Sequence, residues 1–292
     1  MFEGFERRRI RTRGADIHLV VGGRGPPLLL LHGFPQTHVA WHAVAPLLSR
    51  HFTVVAPDLR GYGDSTTDLA TTDPANFSKR ALAEDQVETM AALGFPRFHV
   101  AGHDRGGRVA YRLALDHPQR VDRLAVLDIV PTLAMWRSAD KAFGLANWHW
   151  FFLAQAGGLP EAMIAAAPDL ILDAFLARWA RFPERLDPAA IAEYRRCFRK
   201  PEVIAAACAD YRAGATLDAE HDAADLSAGR RVTQPLLALW SEARFDPGAT
   251  NPLAIWREWA ATVQGEALPC GHFLSEEQPE QTADRLIQFF SE

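Results

Sequence analysis

Gly102-His103-Asp104-Arg105-Gly106-Gly107 is the stretch that decides the fold. The run before it, Phe98–Ala101, is short and apolar, as a buried strand would be, and Arg108–His117 behind it has helical spacing. Glycines two before and two after Asp104 permit a sharp, strained strand-to-helix turn, which lifts the central side chain out at the top of a sheet. Here that side chain is a carboxylate, and no Gly-x-Ser-x-Gly occurs elsewhere in the chain. Taken alone, the motif leaves a second use open: aspartate is also a favoured helix N-cap.

Moving outward, short apolar runs recur at Leu28–Leu31, Phe52–Ala56, Leu124–Leu127, Leu236–Leu239 and Ala267–Leu268. Helical spacing fills most of the intervals, at Lys79–Leu93, Leu253–Thr262 and Thr282–Phe290. This alternation predicts an α/β fold with a mostly parallel central sheet and helices on both faces. One interval breaks the rhythm. Residues 132–231 read as helices with Pro and Gly breaks, far longer than the dozen or so residues one crossover needs. We expect a core of residues 1–131 and 232–292 and an inserted helical cap of residues 132–231. Ligands of such sheets bind beyond the carboxyl ends of the strands, so the loops leaving the strands are where chemistry is sought.

Composition narrows the classes of function without choosing one. The 292 residues are 48% hydrophobic and 23% charged, an ordinary globular balance. A net charge of -5, from 31 basic and 36 acidic side chains, argues against a nucleic-acid or anionic-membrane partner. Cys197, Cys208 and Cys270 are too few and too scattered for a disulfide framework or a zinc site. Met1 to Arg13 lacks the apolar stretch of a signal peptide, and the longest aliphatic block is only Leu28–Leu31. The expectation is a soluble, cytoplasmic protein.

Three further loops carry unusual residues. His32-Gly33-Phe34-Pro35 follows the first apolar run, Pro57-Asp58-Leu59-Arg60-Gly61-Tyr62-Gly63-Asp64-Ser65 follows the next, and Gly271-His272 follows the last. With the elbow at Asp104, these make nearly the whole chain resemble the α/β-hydrolase superfamily. The branch is the one with an aspartate nucleophile: haloalkane dehalogenases, epoxide hydrolases and haloacetate dehalogenases. The resemblance implies Asp104 as nucleophile and His272 as base, with backbone N–H groups of Phe34 and Arg105 as the oxyanion hole. His32 is expected to shape its loop. A histidine base needs an acid to orient it, and Asp128 and Asp246, the latter with Glu242 nearby, both follow strands. Leu127-Asp128-Ile129-Val130-Pro131 is similar to the haloacetate dehalogenase pattern, which favours Asp128 and leaves Asp246 as the alternative.

Arg105 and Arg108 bear on the substrate. Three residues apart, they share a helix face beside Asp104. A carboxylate nucleophile repels an anionic substrate, but an opposite charge ~4 Å away contributes ~4 kcal/mol at an effective dielectric of ~20. A guanidinium also holds a carboxylate in a fork. Haloalkane dehalogenases place tryptophan after the nucleophile; arginine there points to a small carboxylic acid. His149 and Trp150, in Asn147-Trp148-His149-Trp150-Phe151-Phe152, resemble the halide donors of fluoroacetate dehalogenases, and Tyr211 matches their tyrosine. Trp148, Phe151 and Phe152 are assigned to packing. The expected reaction is hydrolytic dehalogenation of a small 2-haloacid, fluoroacetate or another haloacetate, to glycolate and halide. No metal or organic cofactor is called for, and the resemblance implies a homodimer. An epoxide hydrolase using the same Asp104 and His272, with Tyr194 or Tyr211 protonating the opening oxygen, is the alternative. A non-catalytic ligand receptor on the same fold is a further one.

Overall fold

In the computed structural model, which describes residues 1–243 and 251–292, eight strands form one sheet. They are β1 (Glu6–Arg11), β2 (Asp16–Gly22), β3 (Pro27–Leu31), β4 (Thr53–Pro57), β5 (Phe98–His103), β6 (Val121–Leu127), β7 (Leu236–Ser241) and β8 (Val263–Leu268). Their spatial order is β1-β2-β4-β3-β5-β6-β7-β8. β1 and β2 run antiparallel and everything from β4 to β8 is parallel. The parallel strands coincide with the apolar runs because both of their faces are covered. Leu28 and Leu30 pack on one face with Trp41, Leu127 and Leu286. Leu29 and Leu31 pack on the other with Val100, Val109 and Leu113.

The first two strands were not among the expected ones. β1 reads Glu-Arg-Arg-Arg-Ile-Arg and five of its six residues are exposed. An edge strand studded with arginine resists pairing with other chains, and the same charges hide it from a search for apolar runs.

Fourteen helices complete the described fold. The first three are α1 (Ala45–Leu48), α2 (Lys79–Ala92) and α3 (Arg105–Asp116). Between β6 and β7 the described chain is helical without a strand. The helices there are α4 (Thr132–Arg137), α5 (Lys141–Ala146), α6 (Trp148–Leu153), α7 (Leu159–Ala166), α8 (Pro168–Trp179), α9 (Pro188–Phe198), α10 (Pro201–Ala215) and α11 (Leu217–Ser227). Last come α12 (Pro252–Trp259), α13 (Leu274–Glu277) and α14 (Pro279–Phe290). Strand order reverses at β3, whose neighbours are β4 and β5. The loops leaving β3 and β5 diverge at that point and leave a crevice, and they carry His32–Pro35 and Asp104. Buried ion pairs tie the helical stretch down beside it. Arg112 of α3 reaches Asp222 at 2.9 Å and Asp225 at 2.5 Å, both on α11. No helix is long and apolar enough to cross a membrane among the described residues.

Candidate active site

Asp104 sits between β5 and α3 with φ +48° and ψ -118°, a conformation that costs roughly 1–3 kcal/mol and persists only where its surroundings enforce it. The enforcement is backbone crowding. A Cβ on Gly102 would lie 2.4 Å from the Gly106 carbonyl oxygen, and one on Gly106 would lie 2.3 Å from that of His32. The carboxylate makes no cap bond to α3. Its Oδ1 instead accepts from the Phe34 backbone N–H at 3.0 Å, so the capping alternative is not the geometry found. His32 shapes that loop as expected: its Nδ1 donates to the Gly33 carbonyl at 3.0 Å and its Nε2 accepts from the Leu59 N–H at 3.0 Å.

His272 closes the constellation from the loop after β8. Its Nδ1 donates to Asp128 Oδ2 at 2.5 Å, and its Nε2 lies 3.8 Å from Asp104 Oδ2. Asp128 is the acid on the imidazole; Asp246 lies outside the described residues. Asp128 follows β6 at φ +55° and its Oδ1 accepts from the Ser241 N–H at 2.9 Å. His103 lies beneath, ring centroids 4.4 Å apart, and its Nε2 donates to the His272 carbonyl at 2.7 Å. Burial, followed by the neighbouring His272, pushes the His103 imidazole down to about 3, so it stays neutral. For Asp104, burial acts to raise the pKa. The neighbouring His272, His103, Arg105 and Arg108, with the two guanidinium charges among them, outweigh it and hold the carboxyl well below the usual range. The carboxylate is therefore ionised throughout the neutral range.

The two arginines differ. Arg105 Nε donates to Asp210 Oδ2 at 3.0 Å, and its Nη2 to Asp210 Oδ1 at 2.6 Å and to the Asp210 carbonyl at 2.7 Å. Asp210 also holds the buried Lys79 ammonium and accepts from the Tyr62 hydroxyl at 2.8 Å. Arg105 keeps only Nη1 without a partner. Both guanidinium groups were expected to hold a substrate carboxylate, and that of Arg105 is already paired with Asp210. Arg108 is 2% exposed, yet its bonds go to neutral acceptors, the Val130 carbonyl at 2.9 Å and Thr132 Oγ1 at 3.2 Å, and its Nε has no partner. Burial and the neighbouring Arg105 charge pull its pKa below the ordinary value.

Arg108, Asp104, His149, Trp150, Trp179 and His272 line one small cavity with Asp128, Ile129 and Met135, and its volume is about 10 Å³. That is room for roughly one water. The Arg108 guanidinium lies 4.7 Å from the Trp150 ring centroid, and the Arg105 guanidinium 4.2 Å from that of Tyr211. The His149 ring is 5.7 Å from Tyr211 and 4.8 Å from Trp179. His149 and Trp150 thus share the cavity of Asp104, and Tyr211 packs against both rings; the Asp104 charge helps raise the Tyr211 hydroxyl pKa after burial has done most of it. Trp148 stacks on Phe175 at 5.5 Å and Phe151 packs on Trp136 at 5.5 Å. Trp179, Asp210 and Ser241 carry no motif; only the fold brings them here.

Tyr194 is elsewhere. Its hydroxyl donates to Glu276 Oε1 at 3.0 Å and accepts from Gln36 Nε2 at 3.3 Å. Burial pushes the Glu276 carboxyl up from 4.5 to about 8. A carboxyl with a raised folded pKa contributes stability that is full below its ordinary value and lost as pH rises through the folded one. The melting temperature should therefore fall as pH climbs from 5 to 9, and Glu276→Gln should flatten that slope. An unchanged slope in a calorimetric pH series would remove Glu276 as its source.

Among the described residues, one grouping has metal-like spacing, His18, His38 and Asp58, with ligand atoms within 4.8 Å of one another. Asp58 is already saturated by N–H donors. It accepts from the His38 and Asp64 backbones at 2.8 and 2.9 Å and lies 2.8 and 3.0 Å from Nδ1 of His38 and His18. Those backbone N–H groups would face any cation placed there, so the cluster reads as a hydrogen-bonded joint.

A family model described as the alpha/beta hydrolase fold matches residues 26–279. The chain is 46% identical to a fluoroacetate dehalogenase from Burkholderia sp., over 100% of this chain and 96% of that one. It is 37% identical to a soluble epoxide hydrolase from Corynebacterium sp. (strain C12), over 95% and 94%. A solved structure from Nostoc sp. PCC 7120, provisionally described as an alpha/beta hydrolase, superposes with a TM-score of 0.95 at 51% identity, covering 100% of this chain and 99% of that one. The strained elbow, the sheet order and these matches lead to one statement: the chain belongs to the α/β-hydrolase family.

Proposed function

We propose that the protein hydrolyses small 2-haloacids, fluoroacetate or another haloacetate, to glycolate and halide. One observation carries the proposal: Arg108 is a buried guanidinium whose hydrogen bonds go only to neutral acceptors, in the same small cavity as the ionised Asp104 carboxylate. A buried cation without a hydrogen-bonded anion is costly, and a substrate carboxylate supplies one. Arg105, fixed by Asp210, adds its open Nη1.

With the substrate carboxylate so held, an Asp104 oxygen attacks the α-carbon and halide leaves with the bonding pair. His149, Trp150 and Tyr211 surround the departing halide with N–H and O–H donors in a dry pocket. The product of this step is an ester of Asp104. His272, held by Asp128, takes a proton from water as the water oxygen adds to the ester carbonyl. The Phe34 and Arg105 backbone N–H groups receive the oxyanion. Collapse expels the glycolate alkoxide, which takes the proton from His272, and Asp104 releases the last proton to solvent. The sum is haloacetate plus water to glycolate, halide and a proton.

The epoxide hydrolase reading retains Asp104 and His272 and is kept alive by the Corynebacterium relative. It loses Tyr194, whose hydroxyl is bound by Glu276 and Gln36, and it gives Arg108 no anion. Halide release from fluoroacetate and chloroacetate, measured beside diol formation from a neutral epoxide, separates the two. Diol without halide would overturn the dehalogenase reading. A receptor has no use for a base oriented by a buried acid.

Residues 132–231 act in this scheme as a cap closing the chamber, through His149, Trp150, Trp179 and Tyr211. The same stretch bears six of the exposed large hydrophobic residues, Leu145, Trp148, Phe151, Leu159, Met163 and Leu170. A homodimer would bury such a surface.

A further inference from the structure

We propose that Glu277 is a positioning residue for the base: it fixes His272 and the Trp179 wall of the chamber to each other as one unit. The carboxylate is 1% exposed and accepts four backbone N–H bonds. Two come from the residues flanking His272: Gly271 gives one to Oε2 at 2.9 Å and Phe273 one to Oε1 at 3.1 Å. The other two come from the chain just past α8, from Arg181 at 2.9 Å and Phe182 at 3.0 Å, both to Oε2. The His272 N–H itself donates to the Trp179 carbonyl at 2.8 Å. One buried anion thus stitches the base loop to the helical stretch two residues beyond Trp179, a cavity-lining residue.

The joint is also close-packed. A Cβ on Gly271 would lie 2.3 Å from the Arg181 nitrogen, 2.5 Å from the Trp179 oxygen and 2.7 Å from Glu277 Oε1. Bonds to a charged acceptor are about twice as strong as neutral ones, so the carboxylate, rather than generic packing, sets the approach of the two segments. Glu277 touches neither substrate nor reacting atoms. It acts through His272, and His272 works only in the second chemical step. Its loss therefore belongs to ester hydrolysis and not to ester formation, an assignment that rests on the two-step scheme above.

Glu277→Gln keeps the size but can no longer offer both oxygens, leaving an NH2 group against one of the four donors. A 1 Å misplacement of a reacting group costs about 10²-fold, so hydrolysis should slow by about 10- to 100-fold. Halide should still be released in a burst of about one equivalent at a rate within threefold of the unsubstituted enzyme. The peptide bearing Asp104 should then accumulate the ester mass in rapid-quench mass spectrometry. Gly271→Ala, which wedges the same joint apart without altering a charge, should do likewise. It decides the matter if Glu277→Gln fails to fold. Equal slowing of both steps without ester accumulation, or turnover that does not change, would overturn the proposal. A second readout needs no substrate: the low-field proton resonance of the His272–Asp128 hydrogen bond should shift in either variant. Should the unsubstituted enzyme release no halide, the dehalogenase reading fails, whereas an unmoved resonance fails the joint.

Discussion

Asp104→Asn is expected to lower halide release from haloacetate by at least ~10⁴-fold, on the scale of removing one member of a triad, with the fold intact. The substitution is nearly isosteric. The amide oxygen can still accept the Phe34 N–H that reaches Asp104 at 3.0 Å, and asparagine is among the residues that tolerate the positive φ of the elbow. Only nucleophilic charge is lost. The carboxyl of Asp104 is held well below the ordinary range, against the pull of burial, by His272, His103, Arg105 and Arg108. A depressed folded pKa contributes stability above the ordinary value and loses it as pH falls. Asp104→Asn should accordingly melt lower than the unsubstituted chain at pH 7, with the difference shrinking toward pH 3. Asp104 should also remain ionised through the acid limb of the pH–rate profile. A single turnover in oxygen-18 water adds a direct readout, since the water oxygen ends on Asp104 when the ester carbonyl is attacked. Activity that persists in the asparagine variant without a return of one mass unit, the mark of deamidation, would exclude Asp104 as nucleophile. Label appearing only in glycolate would exclude the ester.

The sequence discloses this centre because its loops are punctuated. Gly102, Gly106 and Gly271 stand where backbones approach too closely for a Cβ, and such glycines remain legible without coordinates. Asp128 is legible as the residue ending an apolar run, although periodicity could not rank it against Asp246. What was hidden is what the fold assembles over long separations. Asp210 lies 105 residues from Arg105 and 131 from Lys79, on a helix whose polar residues look like a solvated face until the tertiary structure buries them. The same burial divides two arginines that are equivalent on the helix. Arg105 turns to Asp210, while Arg108 turns to the cavity. β1 escaped notice for the opposite reason: an edge strand with five exposed residues carries no apolar signal.

Arg108→Met sets stability against function. Methionine fills the space of the arginine stem without a charge. In the unliganded protein the guanidinium is buried against the Val130 carbonyl and Thr132 Oγ1, and burial together with Arg105 disfavours its charged form. Replacing it removes a desolvated cation that is hydrogen-bonded to no carboxylate among the described residues, at the cost of two hydrogen bonds to neutral acceptors. Each such bond is worth about 1 kcal/mol net, while replacing buried ionic groups with apolar ones of similar volume is often neutral or stabilising by ~1–4 kcal/mol. Stability in urea should be retained or raised. Catalysis should move the other way. Truncating one partner of a buried, hydrogen-bonded charge pair costs ~2–5 kcal/mol, so kcat/KM for a haloacetate should fall by about 10³-fold. The neutral haloacetamide, which offers no carboxylate, should lose far less. Glycolate should raise the melting temperature of the unsubstituted enzyme, by ~2.7 kcal/mol of added stability at a hundred times its dissociation constant, and should leave Arg108→Met unmoved. Arg108→Lys should fall between the two, keeping the charge but losing the planar fork. Equal losses for haloacetate and haloacetamide would mean that Arg108 supports the loop after Asp128 through Val130 and Thr132. Its burial without an anion would then reflect architecture, and the charge of the substrate would have to be read from the open Nη1 of Arg105 alone.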